Sequence, residues 1–330
     1  MKSEKLLVAD IGGTNARFAL ALARGGELTI GPVTALHTAA YATLDDALEA
    51  FLETEGHPDL GAAALCAAGP VSGAGATAHI RLTNCPWEVS VEALARATAV
   101  ARPCLMNDFA ALALAVPALA SADRHPIGRA REPLSGAPIA IVGAGTGLGV
   151  SALVFDGPQA IAVAGEGGHV DLAPANAHEA AVLAHLQARF GHVSAERVLS
   201  GPGLVTLHAT LAALYGAPAD PLTPEEIAAR AHSNTCALAR ETVALFCGWL
   251  GAVAGDMALT FGARGGVYVA GGIVPGWIAA MPGLFDEDLF RARFEAKGRL
   301  EDWMKEIPAF VVTRPDAALL GLARAARAAL

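Results

Sequence analysis

The chain has 330 residues, 54% hydrophobic and 17% charged, enough apolar material for two packed domains. Its 23 basic and 32 acidic residues give a net charge of −9 with no basic run, which argues against binding a nucleic-acid backbone. Five scattered cysteines, Cys66, Cys85, Cys104, Cys236 and Cys247, form no C-x-x-C pair, which fits reduced thiols and excludes a disulfide framework or a zinc cluster.

The opening MKSEKLLVAD has only a four-residue apolar run before Asp10, too short for the core of a secretory signal, so a cytoplasmic protein is expected. Residues 6–22, LLVADIGGTNARFALAL, read as two strands joined by a tight bend. A hairpin needs only a two-residue turn. This bend instead gathers Asp10, Gly12, Gly13, Thr14 and Asn15. Glycine lets backbone N–H groups approach a phosphate, and Asp10 offers Mg²⁺ a hard oxygen, directly or through water. A plain hairpin with Asp10 folded onto its own turn uses the same residue types, and the bend alone does not separate the two.

Helical patterns follow at residues 44–53 and 89–97, the second with Ser90 as N-cap, and strand patterns at Ala62–Ala67 and residues 102–106. Asn107 and Asp108 then stand between a strand and an apolar helix ending near Pro117. They cap the helix, or Asp108 accepts a proton from a hydroxyl nucleophile that Asn107 orients. Residues 121–138, with their prolines, glycines and mixed charges, are the expected crossing between domains.

Residues 138–156, PIAIVGAGTGLGVSALVFD, repeat the opening pattern, which suggests two related halves. The bend GAGTGLG fits neither G-x-G-x-x-G nor a P-loop, leaving a pair of glycine hairpins suited to one polyphosphate. In GEGGHVDLAP, Glu166 and His169 flank two glycines, as surface residues or as hydrogen-bonding partners for sugar hydroxyls. Glu196, in GHVSAERVLSGPG, reads most simply as a carboxylate near a helix start. Helical stretches at residues 176–191 and 236–261 follow, then the strand GGVYVAGGI. The uncharged run 265–285 is long enough to span a bilayer, but Pro275, Pro282 and paired glycines divide it into strand, turn and helix start. No membrane partner is expected. AFVVT is a last strand, and Asp316 is placed to cap a helix over residues 317–330.

Taken in order, ADIGGTNARFAL, NDFAALALAVP, GAGTGLGV, GEGGHVDLAP, GHVSAERVLSGPG and GGVYVAGGIVP make the chain resemble, nearly end to end, the bacterial glucokinases outside the ROK group. The ROK zinc motif is absent, since no cysteine lies between Cys104 and Cys236, and no structural zinc is implied. The resemblance implies an α/β, two-domain ribonuclease H-like fold of the actin and hexokinase type, with mixed sheets flanked by helices and a cleft between domains. Residues 1–118 plus 312–330 would form the small domain and residues 119–311 the large one. It implies transfer of the γ-phosphoryl of ATP to the 6-hydroxyl of D-glucose, the entry step of glycolysis, with Mg²⁺ and as a homodimer.

On the same resemblance, Asp108 is the catalytic base. Asn84, Asn107, Asp108, Glu166, His169 and Glu196 bind the sugar. Ala9, Asp10, Ile11, Gly12, Gly13, Thr14 and Asn15, with Gly145, Thr146 and Gly147, are the phosphate loops, and Gly271 and Gly272 lie near the adenosine. Ala9 and the pair Cys85-Pro86 depart mildly from the family pattern. A kinase for another hexose or an N-acyl amino sugar, or a polyphosphate-using glucokinase, would carry the same loops. A sugar-sensing regulator would bind sugar without turning over ATP.

Overall fold

The computed structural model describes residues 4–25, 27–82, 85–129, 131–218 and 220–330. By internal contacts the chain forms two compact units. One comprises Met1–Ala120, Ala160–Ala164 and Arg314–Leu330, the other Ser121–Gln159 and Gly165–Thr313.

In the first unit the strands are β1 (Glu4–Ile11), β2 (Asn15–Arg24), β3 (Glu27–Ile30), β4 (Thr34–His37), β5 (Ala62–Ala67), β6 (His79–Arg81), β7 (Glu88–Ser90) and β8 (Cys104–Asn107). Its main sheet runs β3-β2-β1-β5-β8, with β4 also paired to β2. Strand β1 is buried on both faces, as its unbroken apolar run requires. Leu7, Ala9 and Ile11 pack with Phe18, Phe51 and Trp87 on one side. Leu6 and Val8 pack with Leu319 and Leu322 of the C-terminal helix, Ala317–Ala328, on the other.

Helix α1 (Leu44–Thr54) starts at a capping box between Thr43 and Asp46. Helix α2 (Val91–Thr98) begins two residues later than its pattern suggested, because Val89 and Ser90 complete β7. Ser90 still caps it, accepting from the Ala93 N–H. Helix α3 (Asp108–Ala115) packs so closely on the C-terminal helix that a Cβ on Gly321 would lie 1.8 Å from the Ala111 carbonyl oxygen. Asp316 sits at the N-cap position of that helix without capping it. Its carboxylate is taken instead by the Arg314 guanidinium in two parallel bonds of 2.9 and 3.0 Å.

The second unit is built from β9 (Arg124–Pro126), β10 (Ile139–Ala144), β11 (Leu148–Asp156), β13 (Val267–Ala270), β14 (Ala309–Val312) and the two end residues of β12 (Gln159–Gly165). Its helices are α4 (Ala177–Phe190), α5 (Gly201–Leu214), α6 (Pro224–His232), α7 (Ala237–Phe261), α8 (Ile273–Ala280), α9 (Glu287–Glu295) and α10 (Glu301–Lys305). Strand β9 lies in the segment expected to be a crossing, and pairs with β14. The sheet path β11-β10-β13-β14 repeats β2-β1-β5-β8: an antiparallel hairpin, then two parallel junctions. The repeat in the sequence is therefore a repeat of topology.

Helix α7 is long and apolar enough to cross a membrane, yet most of its apolar stretch is buried in this unit, around Phe246, Trp249 and Leu250. The uncharged run 265–285 divides into β13, a turn at Gly271 and α8.

Candidate active site

In the first unit, the parallel register sets Asp10 beside Cys66 and Ile11 beside Ala67, and Ala67 in turn beside Asn107. The ends of β1, β5 and β8 are thus level, which brings the Asp10 loop and the Asn107-Asp108 pair to one sheet edge. The carboxyl ends of parallel strands are where open α/β sheets bind ligands.

Asp10 is half-buried. Burial raises its carboxyl above the ordinary carboxylate range; the Cys66 thiol, donating to Oδ1 at 3.5 Å, and the Arg17 charge offset this in part. A desolvated acceptor-only group of this kind suits a cation. Among the described residues no three His, Cys, Asp or Glu side chains gather around a metal position. Mg²⁺ does not need such a cage, because it is commonly held by one or two carboxylates, water and substrate phosphates. The donor set at Asp10 therefore fits Mg²⁺ shared with a polyphosphate.

Thr38 organises the bend after Asp10. Its N–H donates to the Thr14 carbonyl at 3.0 Å and its hydroxyl to the Gly13 carbonyl at 2.9 Å. Both carbonyls, which would repel a phosphate, are thereby occupied. Gly12 closes the turn by donating to the Asn15 carbonyl at 2.9 Å.

Asn107 is the N-cap of α3, its Oδ1 accepting from Phe109 and Ala110 N–H at 2.9 and 3.3 Å. Its amide nitrogen donates to the Gly69 carbonyl at 3.1 Å, where Gly69 adopts φ +123°. These bonds leave one amide N–H for a ligand. Asp108 opens α3, half-buried, with Oδ1 accepting from the Phe109 N–H at 3.0 Å.

In the second unit, the β10–β11 bend carries Gly145, Thr146 and Gly147, with Thr146 exposed at its tip. Its carbonyls are engaged as in the first loop. Gly147 O accepts from the Gly145 N–H, and Gly145 O from the Gly201 N–H, both at 2.8 Å. Glu196 lies in the first turn of the short 3-10 helix Ala195–Arg197 and does not cap α5; Ser200 does, accepting from the Gly203 N–H at 3.0 Å. Glu196 instead reaches the bend, where its Oε2 accepts from the Leu148 N–H at 2.9 Å. A Cβ on Gly147 would lie 2.5 Å from that oxygen, so a side chain here would push the carboxylate aside.

Glu166 and His169 are exposed at either end of the short turn that contains Gly167 and Gly168. That turn is pressed onto the hairpin, and a Cβ on Gly168 would lie 2.0 Å from the Leu148 carbonyl oxygen. On another side, Gly271 (φ +83°) lies against Ala144, its Cβ position 2.3 Å from the Ala144 carbonyl oxygen. Gly272 follows as the N-cap of α8.

The second unit thus gathers Gly145, Thr146, Gly147, Glu166, His169, Glu196, Gly271 and Gly272 around one hairpin. The first gathers residues 9–15 with Asn107 and Asp108 at one sheet edge. Asn84 lies outside the described residues. Sequence reasoning missed Thr38 and Cys66, which sit in no glycine-rich motif, and Gly69, for which the stretch AGPVSGAG was the available signal. Gly201 was visible only as part of a turn.

The glucokinase family model matches residues 7–329. The glucokinase of Chromobacterium violaceum is 45% identical over 317 residues, covering 96% of this chain and 88% of that protein. The crystal structure of a glucokinase from an Antarctic psychrotroph superposes with a TM-score of 0.88 at 35% identity, covering 98% of this chain and 99% of that one. A ROK-family glucokinase from Streptomyces griseus, solved with glucose and AMPPNP, shares the fold with a TM-score of 0.61 at 20% identity, covering 98% of this chain and 99% of its own.

Proposed function

The chain belongs to the glucokinase family, and from that premise we propose how its residues divide the labour of phosphorylating glucose. It is an ATP-dependent sugar kinase acting on D-glucose at the 6-hydroxyl, giving glucose 6-phosphate and ADP. Phosphoryl transfer asks a protein mainly for positioning and charge stabilisation. Asp108 accepts the proton of the 6-hydroxyl as it attacks the γ-phosphorus, its rotamer fixed by the Phe109 N–H. Asn107 offers its remaining amide N–H to the sugar. Glu166, His169 and Glu196 take further sugar hydroxyls, and Asn84 another.

The bends at residues 10–15 and 145–147 present backbone N–H groups to the phosphates, their carbonyls held aside by Thr38 and Gly201. Asp10 would hold Mg²⁺, which neutralises charge on the phosphoryl oxygens. Gly271 and Gly272 leave room for the nucleoside. The observation that carries these assignments is the clustering of Glu166, His169 and Glu196 on the same hairpin as Gly145–Gly147. A homodimer in the cytoplasm completes the proposal, and sedimentation equilibrium checks the dimer.

The test is a coupled assay of glucose 6-phosphate formation, run across hexose and N-acyl amino sugar acceptors with Mg·ATP or polyphosphate as donor. Glucose with Mg·ATP is expected to give the highest kcat/KM. A clear preference for another sugar or for polyphosphate would contradict the assignment, as would stoichiometric glucose binding without turnover.

A further inference from the structure

We propose that Glu196 is a positioning residue that links the glucose site to the phosphate hairpin within the second unit. The inference rests on the reading above that Glu196 contacts the sugar. The two carboxylate oxygens face different tasks. Oε2 accepts from the Leu148 N–H at 2.9 Å, at the base of the bend that carries Gly145–Gly147. Among the described residues, no donor is bonded to Oε1, which leaves it for a sugar hydroxyl. Glu196 is held from behind as well. Its own carbonyl accepts from the Ser200 hydroxyl at 2.8 Å, and the Gly201 N–H beyond Ser200 donates to Gly145 O at 2.8 Å. The segment 196–201 therefore grips the hairpin at two points, one through a side chain and one through backbone.

Gly147 is the sequence feature that permits this contact. Its Cβ position is 2.5 Å from Oε2 and 3.3 Å from Cδ, so any side chain there displaces the carboxylate from Leu148. A hydroxyl bound to Oε1 restricts the same carboxylate and so steadies the Leu148 bond. By thermodynamic reciprocity, whatever glucose does for the bend, an ordered bend does for glucose.

The experiment titrates glucose calorimetrically into the full-length protein without nucleotide, comparing wild type with Gly147→Ala. The substitution lies in the phosphate bend, so a change in glucose affinity reads how far the bend sets the place of the Glu196 carboxylate, while exchange at Leu148 reads the coupling itself. We expect the glucose Kd to rise about tenfold, the loss of one charge-assisted hydrogen bond. A second measurement, on wild type alone, follows amide hydrogen exchange at Leu148, which glucose without nucleotide is expected to slow. An unchanged glucose Kd in folded Gly147→Ala, or Leu148 exchange indifferent to glucose, overturns the link while leaving the kinase assignment intact. Wild-type protein that binds no glucose overturns both.

Discussion

Replacing Gly168 by alanine puts a methyl group where the structure has no room for one. The new Cβ would stand 2.0 Å from the Leu148 carbonyl oxygen and 3.0 Å from both the carbonyl carbon and the Cβ of Leu148. Ordinary contact begins near 3.4 Å, so the turn bearing Glu166 and His169 must retreat from the hairpin by about 1.4 Å. Gly168 is buried and its nearest obstacle is backbone, so no flexible side chain can absorb the change. A displacement of roughly 1 Å in positioning groups costs on the order of 10²-fold. That corresponds to about 2.7 kcal/mol in the barrier. The assay is glucose 6-phosphate formation coupled to a dehydrogenase, with a thermal melt to confirm folding. We expect kcat/KM for glucose to fall by about two orders of magnitude. A folded Gly168→Ala enzyme with wild-type kcat/KM would refute the argument that this turn must sit against the hairpin.

Asp10 predicts a trade between stability and activity. Burial raises its pKa in the folded state, so its contribution to stability is full below the unfolded pKa and is lost as pH rises through the folded value. At neutral pH the ionised carboxylate therefore costs stability when no cation is bound. Asp10→Asn should melt higher than wild type at pH 7.5 without nucleotide, a gain that shrinks in acid, while Mg·ATP turnover falls roughly 10²-fold or more; a lower melting temperature at pH 7.5 would contradict this. Glu179 on α4 is buried and paired with Arg293 on α9, and also accepts from the Ala175 N–H at 2.9 Å and the Asn176 amide at 3.1 Å. Glu179→Ala should lower unfolding free energy in urea by about 3–5 kcal/mol, because it strands the guanidinium; a loss under about 1 kcal/mol would show the pair to be dispensable.

The repeated hairpin was legible because both copies carry the same apolar–glycine–apolar pattern, and both became the same antiparallel pair beside parallel strands. Asn107 was legible as a cap, and it is one; the cap and the Gly69 contact together fix its amide. The bond between Glu196 and Leu148 was not legible, because a sequence shows what lies near a helix start, whereas Leu148 lies 48 residues away. Thr38 carries no motif, and its role depends on β4 pairing with β2 so that its hydroxyl meets Gly13. Asp316 failed as a cap because Arg314, two residues earlier, offers a stronger charge-assisted partner than a helix amide. Apart from Asp316, local chemistry survived the passage from sequence to structure; pairings made by strand register and loop contact did not announce themselves.

The most direct measurement is the turnover of Asp108→Ala at saturating glucose and Mg·ATP, with glucose affinity measured on the same preparation. If Asp108 takes the proton of the 6-hydroxyl, kcat falls roughly 10²-fold or more while glucose still binds. Turnover equal to wild type would remove Asp108 from the chemistry and with it the mechanism set out above.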